Sequence, residues 1–437
     1  MNDIKVSVIM PSLNVAEYIE KAVRSVCMQS LYEIEIICID ATSTDGTWEI
    51  LNRLADEDSR IILVKSDRRS YGYQVNCGME MARGEYIAIL ETDDYISDGM
   101  YEKLYCSAKE GEYEYVKCDY AAYWTQANGK QYMIHKKAIL SEELYDKAIC
   151  PVQHISLATD DWYLWNGIYK KTFLDKNGIH FSESEGAAFQ DIGFLHRTII
   201  GAKKARYIHG EYYYYCIERE GASSNSRKDL EYAYQEYKMI YESLGHNDEK
   251  EKTFFYQRIA KSFVLACRNN ADIDAHKDTQ MQYEWFRDIL KRGFQEKVIS
   301  MDRIPQGIND DLYELMISPD SFKAYKKRKK EEFLDFLGEP GHFPIVIFGC
   351  GNYGCMAYQI LRRNGYKVYS FMDNNSALWG QDIDGTRIES PKLAAKYGIS
   401  ARYLIANENH TDKMEQQIKE IIGADTVMTF RFRPEIN

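Results

Sequence analysis

Apolar runs alternate with helical segments along the N-terminal part of the chain. The run at residues 34–39 is nearly continuous, as expected of a strand buried on both faces, and a similar run covers residues 6–10. Between them, the apolar residues of segment 17–29 recur with the period of a helix. Further strand-like runs, each with a helical stretch before it, lie at 61–64 and 86–90. This alternation predicts a parallel α/β sheet with ligands at the carboxyl ends of its strands.

Length, charge and cysteine usage narrow the class of protein. At about 150 residues per domain, 437 residues predict two or three domains. The formal net charge of -12 argues against a nucleic-acid binder that works by phosphate neutralisation. The 10 Cys show no CxxC spacing, which indicates reduced thiols in a cytoplasmic protein. No apolar run suits a membrane-spanning helix, and the opening MNDIKVSVIMPSLN is interpreted as a strand rather than a signal peptide.

The character of the sequence changes twice along the chain. Helical periods dominate from about residue 227 and end near the stretch GEPG, and a strand-like run, FPIVIF, follows it. We therefore predict an α/β domain at 1–226, a helical region at 227–340 and a small α/β domain at 341–437. The helical region contains a basic run, KAYKKRKK at 323–330. It is interpreted as a solvated helix face, with contact to an anionic membrane surface as the alternative.

Carboxylates follow two strands of the predicted parallel sheet. Asp40 ends the second strand, and Asp93 and Asp94 follow the fourth. Because parallel strands present their carboxyl ends at one edge, these acids are expected to share a site. Carboxylate oxygens suit Mg²⁺ or Mn²⁺, which in turn bridge a diphosphate. An Asp pair after a strand is also a common turn or helix cap, so the pattern alone leaves both interpretations open.

Several segments of the N-terminal half together resemble the family 2 glycosyltransferases, which have the GT-A fold. The similar segments are VSVIMPSLNVAEYIEKAVRSVCMQSL, EIEIICIDATSTDGTWEIL, ARGEYIAILETDD, WNGIYKKTFLDKNGIHF with EGAAFQD, and YYYYCIEREGASS. Five matches in the family's order, over about half of the chain, are far more specific than any one motif.

The resemblance implies a nucleotide-sugar site at the ends of the first strands. Asp94 would coordinate Mg²⁺ or Mn²⁺, with Asp93 beside it facing the ribose or the metal. Asp40 would lie near the base or ribose of the donor. Pro11 and Asn14 would line the same pocket through the first loop. In this way the resemblance assigns all five residues to one donor and metal site.

The resemblance also implies the residues of catalysis. Asp191, in the motif FQD, would be the catalytic base, and Arg219 would lie near the pyrophosphate. A single carboxylate that accepts the proton of the acceptor hydroxyl predicts direct displacement with inversion at the anomeric carbon. Without the resemblance, Asp191 would be interpreted as a helix N-cap.

Five positions depart from the commonest family pattern; two of them are Gly167, where Lys is common, and Cys216, where Arg is common. Ala41 stands where a second acid often follows Asp40, which weakens the expectation of a uridine base. Glu91 replaces the Asp that usually opens the metal motif, and Gln190 replaces the Glu before the base. A subset of the family resembles the run SYGYQVNCGMEMARGEYIAILETDD together with GAAFQD, so Glu91 and Gln190 are interpreted as traits of that subset.

The C-terminal part contains a dinucleotide-type fingerprint. Gly349, Gly351 and Gly354 follow a strand and open a helix, and Asp373 ends the next strand at the expected distance. The segment also resembles the small Rossmann-like, nucleotide-sugar-binding domain of some bacterial sugar-modifying acyltransferases. Three interpretations stay open: binding of a nucleotide, nucleotide-sugar or NAD(P); a purely structural module; and redox chemistry.

These observations predict a cytoplasmic, metal-dependent, inverting glycosyltransferase. It would move a sugar from a nucleotide-diphosphate-sugar donor to a glycan or lipid-linked acceptor in the synthesis of a bacterial surface polysaccharide. Its attachment to the membrane would be peripheral, through the helical region and its basic run. The alternatives are a nucleotidyltransferase, a non-catalytic binding or scaffold protein on the same fold, and an oxidoreductase centred on the C-terminal fingerprint.

Overall fold

A computed structural model describes residues 3–217, 229–244, 248–269, 277–407, 410–423 and 426–433. The chain forms two compact units. The N-terminal unit comprises the chain up to Tyr123 and His135–Arg303, and the C-terminal unit comprises Trp124–Ile134 and the chain from Ile304 onward. The predicted helical region is therefore divided, because its first helices belong to the N-terminal unit and its last to the C-terminal unit.

The strands of the N-terminal unit form one mixed sheet, which the hairpin β6–β7 extends. Its path is β3-β2-β1-β4-β8-β6-β9-β5, with β7 paired to β6. Strands β1 to β4 pair in parallel, whereas β8 is antiparallel to both β4 and β6. The strands are β1 (Val6–Ser12), β2 (Ile34–Asp40), β3 (Ile61–Lys65), β4 (Tyr86–Ile89), β5 (Tyr95–Ile96), β6 (Tyr115–Thr125), β7 (Gln131–Lys136), β8 (Gly167–Lys170) and β9 (Ala205–Cys216).

Ten helices with described bounds accompany this sheet. Three of them, α1, α2 and α3, connect the parallel strands, as the alternating pattern predicts. The helices are α1 (Ile19–Cys27), α2 (Thr47–Glu57), α3 (Tyr71–Met81), α4 (Met100–Gly111), α5 (Leu157–Asp160), α6 (Lys171–Lys176), α7 (Gln190–Gly201), α8 (Asp229–Ser243), α9 (Glu249–Asn269) and α10 (Lys277–Gln295).

The C-terminal unit contains a second, smaller sheet. Its order is β12-β13-β11-β10-β14-β15, parallel except where β12 meets β13. Phe333 and Phe336 of α12 pack on Phe430 of β15, so this helix is part of the unit's core. The elements are α11 (Gln306–Ile317), α12 (Pro319–Leu337), β10 (Ile345–Phe348), α13 (Asn352–Arg363), β11 (Val368–Met372), β12 (Asp382–Ile383), β13 (Thr386–Glu389), α14 (Ala394–Tyr397), β14 (Arg402–Ile405), α15 (Thr411–Ile422) and β15 (Met428–Arg431).

The fold class predicted from the apolar pattern is confirmed. All seven residues of β1 and all seven of β2 are buried, which is why both strands appear in the sequence as apolar runs without polar alternation. Helices follow the first sheet, and a smaller α/β sheet closes the chain. Within the described ranges, no helix is both long and apolar enough to cross a bilayer.

A buried carboxylate ties together the amino ends of the three central strands. Glu35 of β2 accepts hydrogen bonds from Ser7 Oγ (2.6 Å) and from the backbone N–H of Arg83 (2.7 Å). The Arg83 guanidinium donates to the second oxygen of Glu35 (2.6 Å). Ser7 Oγ in turn accepts from the N–H of Gly84, just before β4 (2.8 Å). One side chain therefore satisfies polar groups at the start of β1, β2 and β4.

Replacement of this carboxylate should destabilise the N-terminal unit. Glu35→Ala leaves the donors of Ser7 and Arg83 without their acceptor, so the free energy of unfolding should fall by about 1–3 kcal/mol. Urea unfolding followed by circular dichroism measures the change. Glu33→Ala is the control, because Glu33 pairs with Lys5 at the surface; equal losses in the two variants would contradict the role of Glu35.

Candidate functional site

The carboxyl ends of β1 and β2 are closed by hydrogen bonds around Asp40. Ser12 and Asp40 are register partners at the last position of the two strands. The Asp40 carboxylate, 1% exposed, accepts hydrogen bonds from Ser12 Oγ (3.2 Å) and from the N–H and Oγ of Ser43 (2.9 and 2.5 Å). Asp40 thus fixes the turn after β2, at the edge where the sequence predicts the donor pocket.

The first loop is fixed against the same turn. Asn14 adopts a left-handed φ of 51°, and its Oδ1 accepts a hydrogen bond from the N–H of Thr44 (2.9 Å). The carbonyl of Pro11 accepts from Thr92 Oγ1 in the loop after β4 (3.0 Å). The structure therefore brings Pro11, Asn14 and Asp40 together at one rim, next to the loop that carries the predicted metal ligands.

Asp94 is turned inward and holds the end of β9. Its side chain is 1% exposed, Oδ2 accepts from the hydroxyl of Tyr213 (2.6 Å), and Oδ1 accepts from the N–H of Cys216 (2.7 Å). Burial raises its pKa well above the usual range, and the nearby charges of Asp93 and Glu91 add to that rise. Asp93 and Glu91 are only half-buried, so they are the acids of this loop that face outward.

The donor set fits a divalent cation that is shared with a substrate. Across the described ranges, no group of three or more His, Cys, Asp or Glu side chains is arranged to hold a metal ion without other ligands. Mg²⁺ needs only one or two carboxylates when substrate phosphates supply the other ligands. Burial and then the charges of Asp93 and Glu91 raise the pKa of Asp94, and a cation beside these acids would offset that cost.

Asp191 lies in the first turn of α7. This helix begins at buried Gln190, and Phe189 before it adopts a left-handed φ of 65°, a conformation that costs energy for a bulky side chain. Burial raises the pKa of Asp191, and the positive charge of Arg258 opposes part of that rise. A carboxylate with a raised pKa is a better proton acceptor than an ordinary surface Asp.

The first turn of α3 connects the metal loop to the segment that carries Asp191. The Tyr71 hydroxyl donates to Glu91 Oε1 (2.6 Å), and its N–H donates to the carbonyl of Gly186 (2.9 Å). The N–H of Gly72 donates to Gln190 Oε1 (2.7 Å). Burial raises the pKa of Tyr71, and the charges of Glu91 and Asp191 both add to the rise. Glu91, in the predicted metal loop, and Asp191, the predicted base, therefore both lie near Tyr71.

The same turn also reaches the strand ends. Gln74 Nε2 donates to the carbonyls of Ser12 (3.1 Å) and Ile39 (2.6 Å), at the ends of β1 and β2. Sequence reasoning assigned no role to Tyr71, Gly72 or Gln74. The signal available was the run SYGYQVNCGMEMARGEYIAILETDD, which contains all three and resembles a subset of the family.

The remaining predicted residues belong to other parts of the chain. Arg219 lies outside the described residues. In the C-terminal unit, Gly349, with φ of 111°, donates its N–H to the carbonyl of Met372 (2.8 Å). The N–H of Cys350 then donates to Asp373 Oδ2 (2.9 Å). The glycine-rich loop and Asp373 are therefore in contact, as the fingerprint predicts, and nucleotide binding by them stays a prediction.

Comparison with known proteins finds a family model that matches most of the first part of the N-terminal unit. Residues 7–173 match the model "Glycosyl transferase family 2". The glycosyltransferase GlyG of Streptococcus pneumoniae is 28% identical over 237 residues, which cover 52% of this chain and 75% of GlyG. The Escherichia coli protein WfaP, a UDP-Glc:alpha-D-GlcNAc-diphosphoundecaprenol beta-1,3-glucosyltransferase, is 41% identical over 92 residues, 21% of this chain and 36% of WfaP.

Solved structures show the same fold. Residues 1–349 of S. aureus TarS in complex with UDP-GlcNAc align with a TM-score of 0.53 at 17% identity, over 78% of this chain and 94% of that one. A longer TarS chain is covered to 57% of its length. The likeness confirms the GT-A fold that the sequence resemblance implies for the N-terminal unit.

A methyl group in the first turn of α3 should displace the segment before Asp191. A Cβ at Gly72 would lie 1.8 Å from the carbonyl oxygen of Ser182, so Gly72→Ala should lower the free energy of unfolding by about 1–3 kcal/mol. Hydrogen exchange at residues 182–191 should become faster than in the wild type. Gly99→Ala is the control, because a Cβ there meets nothing within 4 Å; unchanged exchange in Gly72→Ala would contradict the contact.

Proposed function

We propose that this chain, whose residues 7–173 match the family 2 glycosyltransferase model, transfers a sugar with inversion from a nucleotide-diphosphate-sugar to a glycan or lipid-linked acceptor. The observation that carries this proposal is the set of hydrogen bonds made by the first turn of α3, from Tyr71 to Glu91 and from Gly72 to Gln190, the residue before Asp191. The name of WfaP includes a diphosphoundecaprenol acceptor, and TarS is known in complex with UDP-GlcNAc. Both similarities support a role in bacterial surface polysaccharide synthesis.

The donor would bind at the rim formed by the first two loops. Pro11, Asn14 and Asp40 would line the nucleotide pocket, since hydrogen bonds hold their loops in place before any ligand arrives. A pocket that is organised in advance spends less binding energy on ordering its own loops. The contact of Arg219 with the pyrophosphate stays a prediction from the resemblance.

A divalent cation would be held by the outward-facing acids of the loop after β4. We assign Asp93 as its main protein ligand, with Glu91 beside it. Buried Asp94 would add its negative charge to the site once the cation is bound. Its hydrogen bonds to Tyr213 and Cys216 position the loop. The cation, Mg²⁺ or Mn²⁺, would supply positive charge to the leaving diphosphate.

Asp191 would act as the base of a direct displacement. The acceptor oxygen would form a bond to the anomeric carbon as the bond between that carbon and the diphosphate oxygen breaks. The hydroxyl proton would pass to Asp191, and the bonding electrons would leave with the nucleoside diphosphate. One base on the face opposite the leaving group gives inversion without a covalent sugar–enzyme intermediate.

Peripheral contact with an anionic membrane surface would use the basic run on α12. Lys327, Arg328 and Lys329 lie on this helix. Each pairs with Glu331 or Glu332 at a separation of three or four residues. These exposed pairs are weak, so the basic side chains could exchange their partners for lipid phosphates.

Replacement of the base should greatly slow transfer but retain donor binding. Asp191→Asn should slow release of the nucleoside diphosphate from UDP-glucose, UDP-galactose, UDP-GlcNAc or GDP-mannose, whichever the wild type uses, by about 10²–10⁴-fold. Thermal stabilisation by the nucleoside diphosphate should remain. Because the pKa of Asp191 is raised above 3.8, wild-type activity should fall with decreasing pH before an ordinary Asp would protonate.

Asp175→Asn is the matched control for the base, since Asp175 is exposed and its carboxylate pairs with Lys171. Unchanged turnover in Asp191→Asn would place the base elsewhere. A wild-type protein that releases nothing from any of these donors in the presence of Mn²⁺ would count against the proposed function as a whole.

Loss of the outward-facing acid Asp93 should weaken binding of the metal ion and slow transfer. Asp93→Asn should lower turnover by about 10²-fold or more and raise the Mn²⁺ concentration at half-maximal activity, because charge at the leaving group is less well stabilised. Asp98→Asn, an exposed acid a few residues along, should behave like the wild type. Full wild-type activity in the presence of excess EDTA would contradict metal dependence.

A further inference from the structure

A short segment from the middle of the sequence belongs to the C-terminal unit. We call Trp124–Ile134, which joins β6 to β7, the hairpin tip. It is separated from the glycine-rich loop by more than 200 residues of sequence. Four of its side chains, those of Trp124, Gln126, Tyr132 and Ile134, are buried.

Tyr132 reaches the glycine-rich loop directly. Its side chain is 4% exposed, and its hydroxyl donates a hydrogen bond to the carbonyl of Cys350, between Gly349 and Gly351 (3.2 Å). Burial and the neighbouring Cys350, Cys355 and Asp373 raise the pKa of Tyr132. Tyr132 therefore lies beside both the loop and the acid at the end of β11, where the fingerprint expects the ribose and phosphates of a dinucleotide.

Further contacts fix the hairpin tip on the same unit. The N–H of Ala127 donates to Asp384 Oδ1 and the N–H of Asp384 donates to Gln126 Oε1, both at 2.8 Å. Trp124 packs against Tyr358 of α13 with ring centroids 6.0 Å apart. Reciprocal hydrogen bonds and a buried aromatic contact are the features of a specific, built interface rather than of a loop that merely passes by.

Asp373 is also engaged within the unit. Its Oδ2 accepts from the N–H of Cys350 (2.9 Å), and its Oδ1 accepts from the N–H of Asn375 (2.8 Å). In a dinucleotide site the acid at this position binds the ribose hydroxyls. Here both of its oxygens hold the backbone of adjacent loops, so the residues present do not fit a bound dinucleotide.

Two of the three glycines are explained by packing alone. A Cβ at Gly349 would lie 2.3 Å from the carbonyl oxygen of Ala406, and one at Gly354 would lie 1.9 Å from the carbonyl oxygen of Gly349. At Gly351 a Cβ would meet nothing within 4 Å. Only Gly351 therefore distinguishes a loop that binds a ligand from a loop that serves the fold, because a methyl there would obstruct a pyrophosphate and nothing else.

We infer that the glycine-rich loop receives the chain's own hairpin tip, with Tyr132 covering it, and that it is not a dinucleotide site. The loop, the buried tyrosine and the engaged acid together form one closed internal interface. This inference is independent of the proposed transfer reaction, since it uses no residue of the N-terminal rim.

Thiol labelling of the full chain tests the cover. Cys350 and Cys355 are each 1% exposed. Tyr132→Ala should raise their rates of alkylation by iodoacetamide, resolved by mass spectrometry, by about tenfold or more, because local opening no longer has to displace the ring. Tyr132→Phe, which removes only the hydroxyl, should give a smaller rise. The thiol of Cys38, buried in the N-terminal unit, reports whether the variants remain folded.

Gly351→Ala is the matched control and the second arm of the test. It should leave the labelling of Cys350 and Cys355 unchanged, and calorimetry of the wild type with NAD⁺, NADH or ADP should show no binding that this substitution removes. Binding of any of these probes that Gly351→Ala abolishes would overturn the inference. Unchanged labelling of both thiols in Tyr132→Ala and in Tyr132→Phe would overturn it as well.

Discussion

The N-terminal site depends on the first turn of α3. Gln74 holds the ends of β1 and β2, Tyr71 holds Glu91, and Gly72 holds Gln190. These partners are as much as 118 residues from the turn in sequence, yet a single helical turn fixes their directions relative to one another. Reacting groups must be held in register for a displacement to occur, and loops alone seldom hold three separate segments with that accuracy. The turn therefore fixes the positions of these segments relative to one another.

Crowded acids are the main energetic cost of this arrangement. Asp94 is buried beside Asp93 and Glu91, which disfavours its charged form. Hydrogen bonds from Tyr213 and from the backbone of Cys216 offset part of the cost, and a cation with a diphosphate would offset more. A site of this kind is less stable without its ligands than a neutral one would be. Local instability at a site that must attract positive charge is an expected compromise between stability and function.

The sequence predicted those elements whose environment is uniform. The buried strands β1, β2 and β4 appear as apolar runs, and the glycosyltransferase motifs sit at their ends. Strand β6 was missed, because a buried strand that contains Lys117 does not look buried until its partners, Asp161 and the carbonyl of Tyr163, are known. Likewise, no local rule decides which of two adjacent acids faces outward. Here Asp94 faces inward because Tyr213 and Cys216 of β9, more than 100 residues away, donate hydrogen bonds to it.

The C-terminal fingerprint predicts the local backbone correctly but does not establish a ligand. A strand that turns sharply into a helix packed closely against it needs small residues at the turn and at the first helical contact, whatever it binds. Gly349 and Gly354 meet that need through contacts of the fold itself. The pattern therefore reports a backbone geometry first and a ligand only if the space above the loop stays open. In this chain Tyr132 donates a hydrogen bond to the Cys350 carbonyl, and two backbone N–H groups donate to the Asp373 carboxylate. The backbone geometry of the fingerprint is therefore present, but the groups that would bind a nucleotide already have partners within the chain.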